Sequence, residues 1–210
     1  MGATGLVGRY ALERLLVDEA FSQVVVLTRR PLQREHPKLL EQRIDFERLK
    51  DYRSLMAADT ALCCLGTTLK AAGSKAAFER VDYDYVKEFA ALAADAGIPQ
   101  FLLISAVGAN PDSVFFYNRV KGRVEQAVRA LPFKSIHILR PSLLLGPRGE
   151  HRVGEDFVKP LAKAVSFLLW GPLKRYRPVH AETVAAMMVA LARQDAPGVQ
   201  IHYPSAEPQE

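Results

Sequence analysis

Apolar positions along this chain follow two alternating rhythms. Residues 6–17 carry Leu6, Leu12, Leu15 and Leu16 on one side of a helical period, which predicts an amphipathic helix. Residues 22–28 contain the unbroken run Val24-Val25-Val26-Leu27, which predicts a parallel strand buried on both faces. The alternation continues, with strands predicted at 42–46, 60–65, 101–105 and 134–139 and helices at 48–57, 78–96 and 116–131. Gly97 is placed to close the helix at 78–96. Strands alternating with helices predict an α/β fold: a doubly wound parallel sheet with right-handed crossovers and helices on both faces. After Gly146-Pro147 the rhythm changes, with helices predicted at 156–169 and 181–193, a short strand at 199–203 and a disordered tail at 204–210. The length of 210 residues suits one domain, in which 147–203 contribute a small substrate lobe.

The first predicted helix opens directly behind Gly2-Ala3-Thr4-Gly5-Leu6-Val7-Gly8, a glycine fingerprint of spacing G-x-x-G-x-x-G. Glycine tolerates positive φ and has no Cβ, so such a loop turns tightly and approaches a pyrophosphate closely. The first N–H groups of the helix then face the anion, and the helix dipole favours negative charge there. A dinucleotide fold needs a strand leading into the fingerprint, and only Met1 stands before Gly2. A buried central strand carries roughly four or five apolar side chains worth about 1.5–3 kcal/mol each. The expectation is therefore that the native chain begins upstream and supplies a strand rich in Val, Ile or Leu.

Composition narrows the classes. The hydrophobic fraction of 49% is ordinary for a globular protein. No run approaches the ~18 apolar residues of a membrane span, and the glycine-rich opening residues do not read as a signal peptide, so none is expected. Cys63 and Cys64 are sequence neighbours, read as buried reduced thiols of a cytoplasmic protein, and no metal-ligand spacing occurs. The net charge of +5 comes from scattered residues, so nucleic acid is disfavoured as a partner.

Several motifs together carry a family likeness. The Gly2-to-Gly8 loop, Ser105 at a strand end, Tyr117-Asn118-Arg119-Val120-Lys121, and Arg140-Pro141-Ser142 through Gly146-Pro147 resemble an atypical or extended short-chain dehydrogenase/reductase. The run Cys64-Leu65-Gly66-Thr67-Thr68-Leu69-Lys70-Ala71-Ala72-Gly73, followed by Val81-Asp82-Tyr83-Asp84-Tyr85-Val86, is similar to the Tat-interacting protein oxidoreductase-like family, including its bacterial members. The resemblance implies a Rossmann-like fold and a bound NADP, with NAD as the alternative.

Tyr117 and Lys121 are i and i+4 and share one helix face. A tyrosine works as general acid/base only if its pKa falls from about 10 toward the operating pH, and a nearby ammonium supplies that effect. The resemblance makes Ser105, Tyr117 and Lys121 the catalytic set, with Ser105 orienting the substrate oxygen and Lys121 also holding the nicotinamide ribose. It places Gly2, Thr4, Gly5, Leu6, Val7, Gly8, Asp45, Phe46, Leu65, Gly66, Thr67, Pro141 and Ser142 around the cofactor, Asp45 and Phe46 bordering the adenine. Arg29 and Arg30 close the predicted strand at 22–28, where an acid would select NAD and an arginine accommodates the 2′-phosphate of NADP. Arg9, in the first helical turn, is a further phosphate candidate. Arg148, His151 and Arg152 are candidates to meet an anionic substrate or to be a solvated loop. His137 reads as a core or edge histidine, and His180 as a capping or substrate-lobe residue.

Three functions stay open at this point. The first is an NADP-dependent oxidoreductase acting on an unidentified small carbonyl or alcohol. The second is a non-catalytic dinucleotide-sensing protein working through protein partners, as mammalian members of the resembled family are described to do. The third is epimerase-type chemistry on a sugar nucleotide, for which the region after Gly146 is short. A homodimer is also open.

Overall fold

Val24, Val26 and Leu27 turn into the core as the unbroken apolar run demands, and Val24–Thr28 forms the first strand, β1. The computed structural model describes residues 1–147 and 175–205. Leu6–Val17 is α1, buried along Leu12, Leu15 and Leu16, with Arg14 in its last turn to complement the dipole. β2 (Leu39–Arg43) pairs in parallel with β1, Val24 opposite Leu39 and Thr28 opposite Arg43. A kinked 3-10 segment, Phe46–Leu55, follows. Then come β3 (Thr60–Cys63), α2 (Leu69–Ala72), α3 (Lys75–Glu79), a π-helical turn (Arg80–Asp84), α4 (Tyr85–Asp95), β4 (Gln100–Ile104), α5 (Phe116–Arg129) and β5 (Ser135–Leu139). Leu144–Leu145 (β6) pairs with Val179–His180 (β7), and α6 (Ala181–Ala192) and β8 (Gly198–His202) end the order.

β3, β4, β5 and β8 form one parallel sheet in that order, and β1 and β2 form a second. Each face is covered. Leu12, Leu15 and Leu16 of α1 and Val184 and Met188 of α6 pack on one side with Leu102 and Leu139. Phe89 of α4 and Val124 and Val128 of α5 pack on the other with Phe101 and Ile136. This is the doubly wound Rossmann-like arrangement.

β1 and β3 are not paired with each other. A cavity of about 540 Å³ lies between them, lined by residues 24–27 and 60–62, with Leu12 and Leu15 on one side and Phe89 on the other. Met1 closes one end of it. Its amino group donates to the Leu62 carbonyl at 2.7 Å, and its own carbonyl accepts from the Cys64 N–H at 2.9 Å.

Local departures from the sequence pattern have identifiable causes. The strand expected at 42–46 lies at Leu39–Arg43, because Asp45 leaves the ladder to cap the 3-10 segment through the Glu47 N–H. The segment expected as an ordinary helix at 48–57 is that 3-10 stretch, with non-helical backbone at Arg48 and Tyr52. The long helix begins earlier than 78, at Lys75 behind the Ser74 cap, and carries the π-turn before α4. Of the expected C-terminal lobe, α6 packs against α1 and β8 extends the main sheet beside β5. The helix expected at 156–169, Arg148, His151, Arg152 and residues 206–210 lie outside the described residues. Among the described residues no helix is long and apolar enough to cross a membrane.

Candidate dinucleotide and catalytic site

The glycine loop has the geometry that its spacing requires. Gly2 sits at φ +84°, where a Cβ would meet the Cys64 carbonyl carbon at 2.5 Å, and a Cβ on Gly8 would lie 2.1 Å from the Gly2 oxygen. The Gly5 N–H donates to the Gly2 carbonyl at 3.0 Å, closing the turn. Gly5 is the N-cap of α1 and provides no side-chain cap, so no side chain competes for the first-turn N–H groups. Thr4 and Gly5 are exposed, Leu6 is half-buried, and Val7 is buried beneath them. A backbone cradle too narrow for a Cβ, ending on an open helix N-terminus, fits a dinucleotide pyrophosphate.

Arg29 and Arg30 are exposed just beyond β1. The Arg29 guanidinium lies 5.2 Å from the centre of the Phe46 ring. Phe46 is a core residue, edge-on to Tyr85 at 5.6 Å, while Asp45 is exposed beside it. Arg9 donates to the Pro147 carbonyl and stacks over Tyr10.

Lys121 is buried, one turn beyond Tyr117 on α5. Its ammonium is 2.7 Å from Asp82 Oδ1. Asp82 Oδ2 accepts from the Thr67 N–H at 2.8 Å. Gly66 lies over the pair, since a Cβ there would stand 3.2 Å from Asp82 Oδ1 and 3.6 Å from Lys121 Nζ. Burial alone would lower the Lys121 pKa, but the Asp82 carboxylate and the neighbouring Tyr117 outweigh it and leave it raised. Tyr117 is 37% exposed, its ring 5.7 Å from that of Phe78. The structure thus brings together Gly66, Thr67, Tyr117 and Lys121 around Asp82. Asp82 lies within the 81–86 motif, where the sequence pattern alone marks no role for it.

Ser105 is placed differently. It is 4% exposed, and its hydroxyl donates to Glu125 Oε1 at 2.5 Å. Glu125 is buried one turn after Lys121 and binds Arg140 through both oxygens, at 2.9 and 2.6 Å. The hydrogen bonds to Glu125 outweigh partial burial and raise the Arg140 pKa. Arg140 also donates to the Tyr203 hydroxyl at 3.1 Å. The expected substrate-orienting hydroxyl is therefore engaged by a buried carboxylate. The sequence reading missed Glu125, whose i+4 spacing from Lys121 is the available signal. Pro141 accepts from the Val107 N–H at 2.9 Å, and Ser142 donates to the Arg177 carbonyl.

The cysteines and His137 lie in the interior. Burial raises the Cys63 pKa and pushes that of Cys64 up to about 12, and Cys64 Sγ lies 3.4 Å from Met188 Sδ. His137 is fully buried and shares a hydrogen bond with His202 at 3.0 Å, while its other ring nitrogen meets Ser135 Oγ at 3.1 Å. His180 sits at the N-cap of α6 without a side-chain cap bond.

Known proteins are similar to this chain over most of its length. A family model described as NAD(P)H-binding matches residues 2–167. Protein HTATIP2 of Rattus norvegicus is 40% identical over 159 residues, covering 74% of this chain and 65% of that protein. The match thus spans less than two thirds of the rat protein's length. Protein FMP52-1, mitochondrial, of Scheffersomyces stipitis is 36% identical over 210 residues, covering 92% of this chain and 87% of its own. Among solved structures, MoeE5 in complex with UDP-glucuronic acid and NAD superposes with a TM-score of 0.72 at 18% identity, covering 97% of this chain and 74% of that one. A cradle shaped for a pyrophosphate, the matching family model and these relatives agree: the chain belongs to the NAD(P)H-binding family, with a Rossmann-like fold, and is similar to HTATIP2.

Proposed function

We propose that the protein is an NADP-dependent oxidoreductase of short-chain dehydrogenase type, acting on a small carbonyl or alcohol. The observation that carries this reading is the buried Lys121–Asp82 pair beneath Gly66, one helical turn from Tyr117. A solvated lysine would need no such partner. One held charged inside the protein, beside a tyrosine of which a third is exposed, is suited to proton transfer.

The roles follow from position. The glycine loop and the α1 N-terminus hold the pyrophosphate. Arg29 and Arg30 take the 2′-phosphate, with Asp45 and Phe46 bordering the adenine. Leu65, Gly66 and Thr67 line the ribose side, and Pro141 and Ser142 border the nicotinamide end. The bound nicotinamide supplies hydride transfer. Tyr117 exchanges the proton with the substrate oxygen, and Lys121 stabilises the phenolate that this leaves. Asp82 keeps Lys121 protonated and oriented. Ser105 acts through Glu125, fixing the helix that carries both residues.

A second reading is a cofactor-binding regulator without turnover. It is favoured by the engagement of the Ser105 hydroxyl with Glu125, which leaves the proton-transfer set without its expected third member. A panel of aldehydes, ketones and alcohols followed by nicotinamide absorbance separates the two. Turnover that Tyr117→Phe reduces by about 10²–10⁴-fold, with cofactor affinity intact, supports the enzyme. Tight cofactor binding with no turnover across the panel supports the regulator.

A further inference from the structure

β8 is the end strand of the main sheet, and little apolar burial holds it there. It pairs with β5, Ser135 opposite Gly198 and Leu139 opposite His202, yet Val199 and Ile201 are both exposed. His202 anchors it by side chain on His137, and Tyr203, one residue beyond, anchors it on Arg140. The first anchor has a fixed direction. The Ser135 hydroxyl donates its one hydrogen to the Ala196 carbonyl at 2.7 Å, so toward His137 Nε2, 3.1 Å away, it can only accept. His137 therefore carries its proton on Nε2, and its bare Nδ1 accepts from His202 Nε2–H at 3.0 Å. A further proton on His137 must enter at Nδ1. There it meets the His202 N–H head on, unless His202 moves its own proton to its other nitrogen. Protonating both rings sets two donors and two charges face to face.

The surroundings do not compensate such a charge. β4 has no ionisable residue, and β8 has none but His202. α6, packed on β5, has only Glu182, which lies exposed on Arg14. In the turn before β8, Arg193 pairs with Asp18 and Asp195 with Lys134. Glu125 of α5 is engaged by Arg140 and Ser105. Burial, with the neighbouring His202, holds the His137 pKa below its ordinary value, and burial does the same to His202.

We propose that the His137–His202 pair is an acid-released latch on β8: as neutral rings the two hold the strand on β5, and their protonation frees the strand and withdraws Tyr203 from Arg140. The folded values lie below the unfolded ones. The latch is therefore at full strength above about pH 6.5 and is lost as pH falls through the lowered values.

The test is hydrogen exchange of the whole chain at about pH 7.5 and about pH 5, corrected for intrinsic rates, with ring titration by NMR. Gly198 donates to the Lys134 carbonyl, so by ladder alternation the N–H groups of Gln200 and His202 also face β5, and Arg140 donates to the His202 carbonyl. Protection at Gln200, His202 and Arg140 should fall at least about tenfold at the lower pH and should lie below that of β4 at both. Both rings should titrate below about 6.5, with the neutral His137 protonated on Nε2. The double variant His137→Gln and His202→Gln keeps a donor and an acceptor along the same path and does not titrate, so its β8 protection should be independent of pH. The proposal is overturned if either ring titrates at or above 6.5, or if β8 and β4 are equally protected at both pH values, which would make the strand open only with the whole fold. It is equally overturned if the double variant keeps the full acid response. If that variant does not fold, the ring titration and the comparison of β8 with β4 decide on the native chain alone.

Discussion

Lys121 Nζ lies 2.7 Å from Asp82 Oδ1, and the two side chains are only 6% and 1% exposed. Removing one partner from such a pair strands a charge in the interior, at a cost of about 3–5 kcal/mol. Asp82→Asn and Lys121→Met should each lose stability on that scale in urea unfolding. The double variant should lose less than the sum of the two. Additive losses would show that the pair is not coupled.

The same pair fixes a pH dependence. The folded chain holds Lys121 protonated above its ordinary value. The pair's contribution is therefore fully present below the unfolded lysine pKa, about 10.4, and is lost as pH rises through the raised folded value. The stability difference between the native chain and Lys121→Met should be flat near neutrality and shrink only in strong alkali.

Arg29 and Arg30 should set cofactor preference. A charge-assisted hydrogen bond to a phosphate is worth about 1.5–3 kcal/mol, or roughly one to two decades of affinity. NADP(H) should bind more tightly than NAD(H) by calorimetry, and Arg29→Asp should invert the order. Equal dissociation constants in the native chain would refute this.

The loop gives a sharper contrast. Gly8→Ala places a Cβ about where the Gly2 oxygen already stands, 2.1 Å away, and should abolish cofactor binding. Gly73 also has positive φ, yet a Cβ there meets nothing within 4 Å. Gly73→Ala should cost some stability through backbone strain and leave cofactor affinity unchanged.

Much of this was legible in residue order. The run at Val24 marked β1, Leu12, Leu15 and Leu16 marked α1, and the three glycines marked the loop. Tyr117 and Lys121 were legible because four residues make one helical turn. Asp82 was hidden. It stands among Glu79, Arg80 and Asp84 in a stretch that reads as a solvated face, and the π-turn at Arg80–Asp84 shifts the helical phase by which its inward position would be judged. The Ser105–Glu125 bond was hidden for another reason. A serine at a strand's carboxyl end fits a substrate contact and a structural bond equally well, and only the fold decides which partner is near. The β6–β7 pair escaped because two residues on each side carry no periodicity.

Ser105 offers a final test. Ser105→Ala leaves Glu125 with one fewer donor in a buried site, which should cost about 1–3 kcal/mol. If Ser105 serves only through Glu125, its loss should lower stability and shift rate modestly. A loss of rate as large as that of Tyr117→Phe, with stability unchanged, would return Ser105 to direct contact with substrate.

Tyr117, Lys121 and Glu125 stand on successive turns of α5, a span of about 12 Å along one rigid axis. Glu125 clamps that axis to Arg140 and Ser105, Lys121 clamps it to Asp82, and Tyr117 projects at the free end. The helix behaves as a lever with two fixed points and one working tip. A tilt allowed by loosening the far clamp is magnified at the tyrosine hydroxyl. If the chain turns over substrate as proposed, rate will be sensitive to Arg140, a residue that touches neither Tyr117 nor Lys121, and the position of Tyr117 is tied to the strand that ends at Leu139.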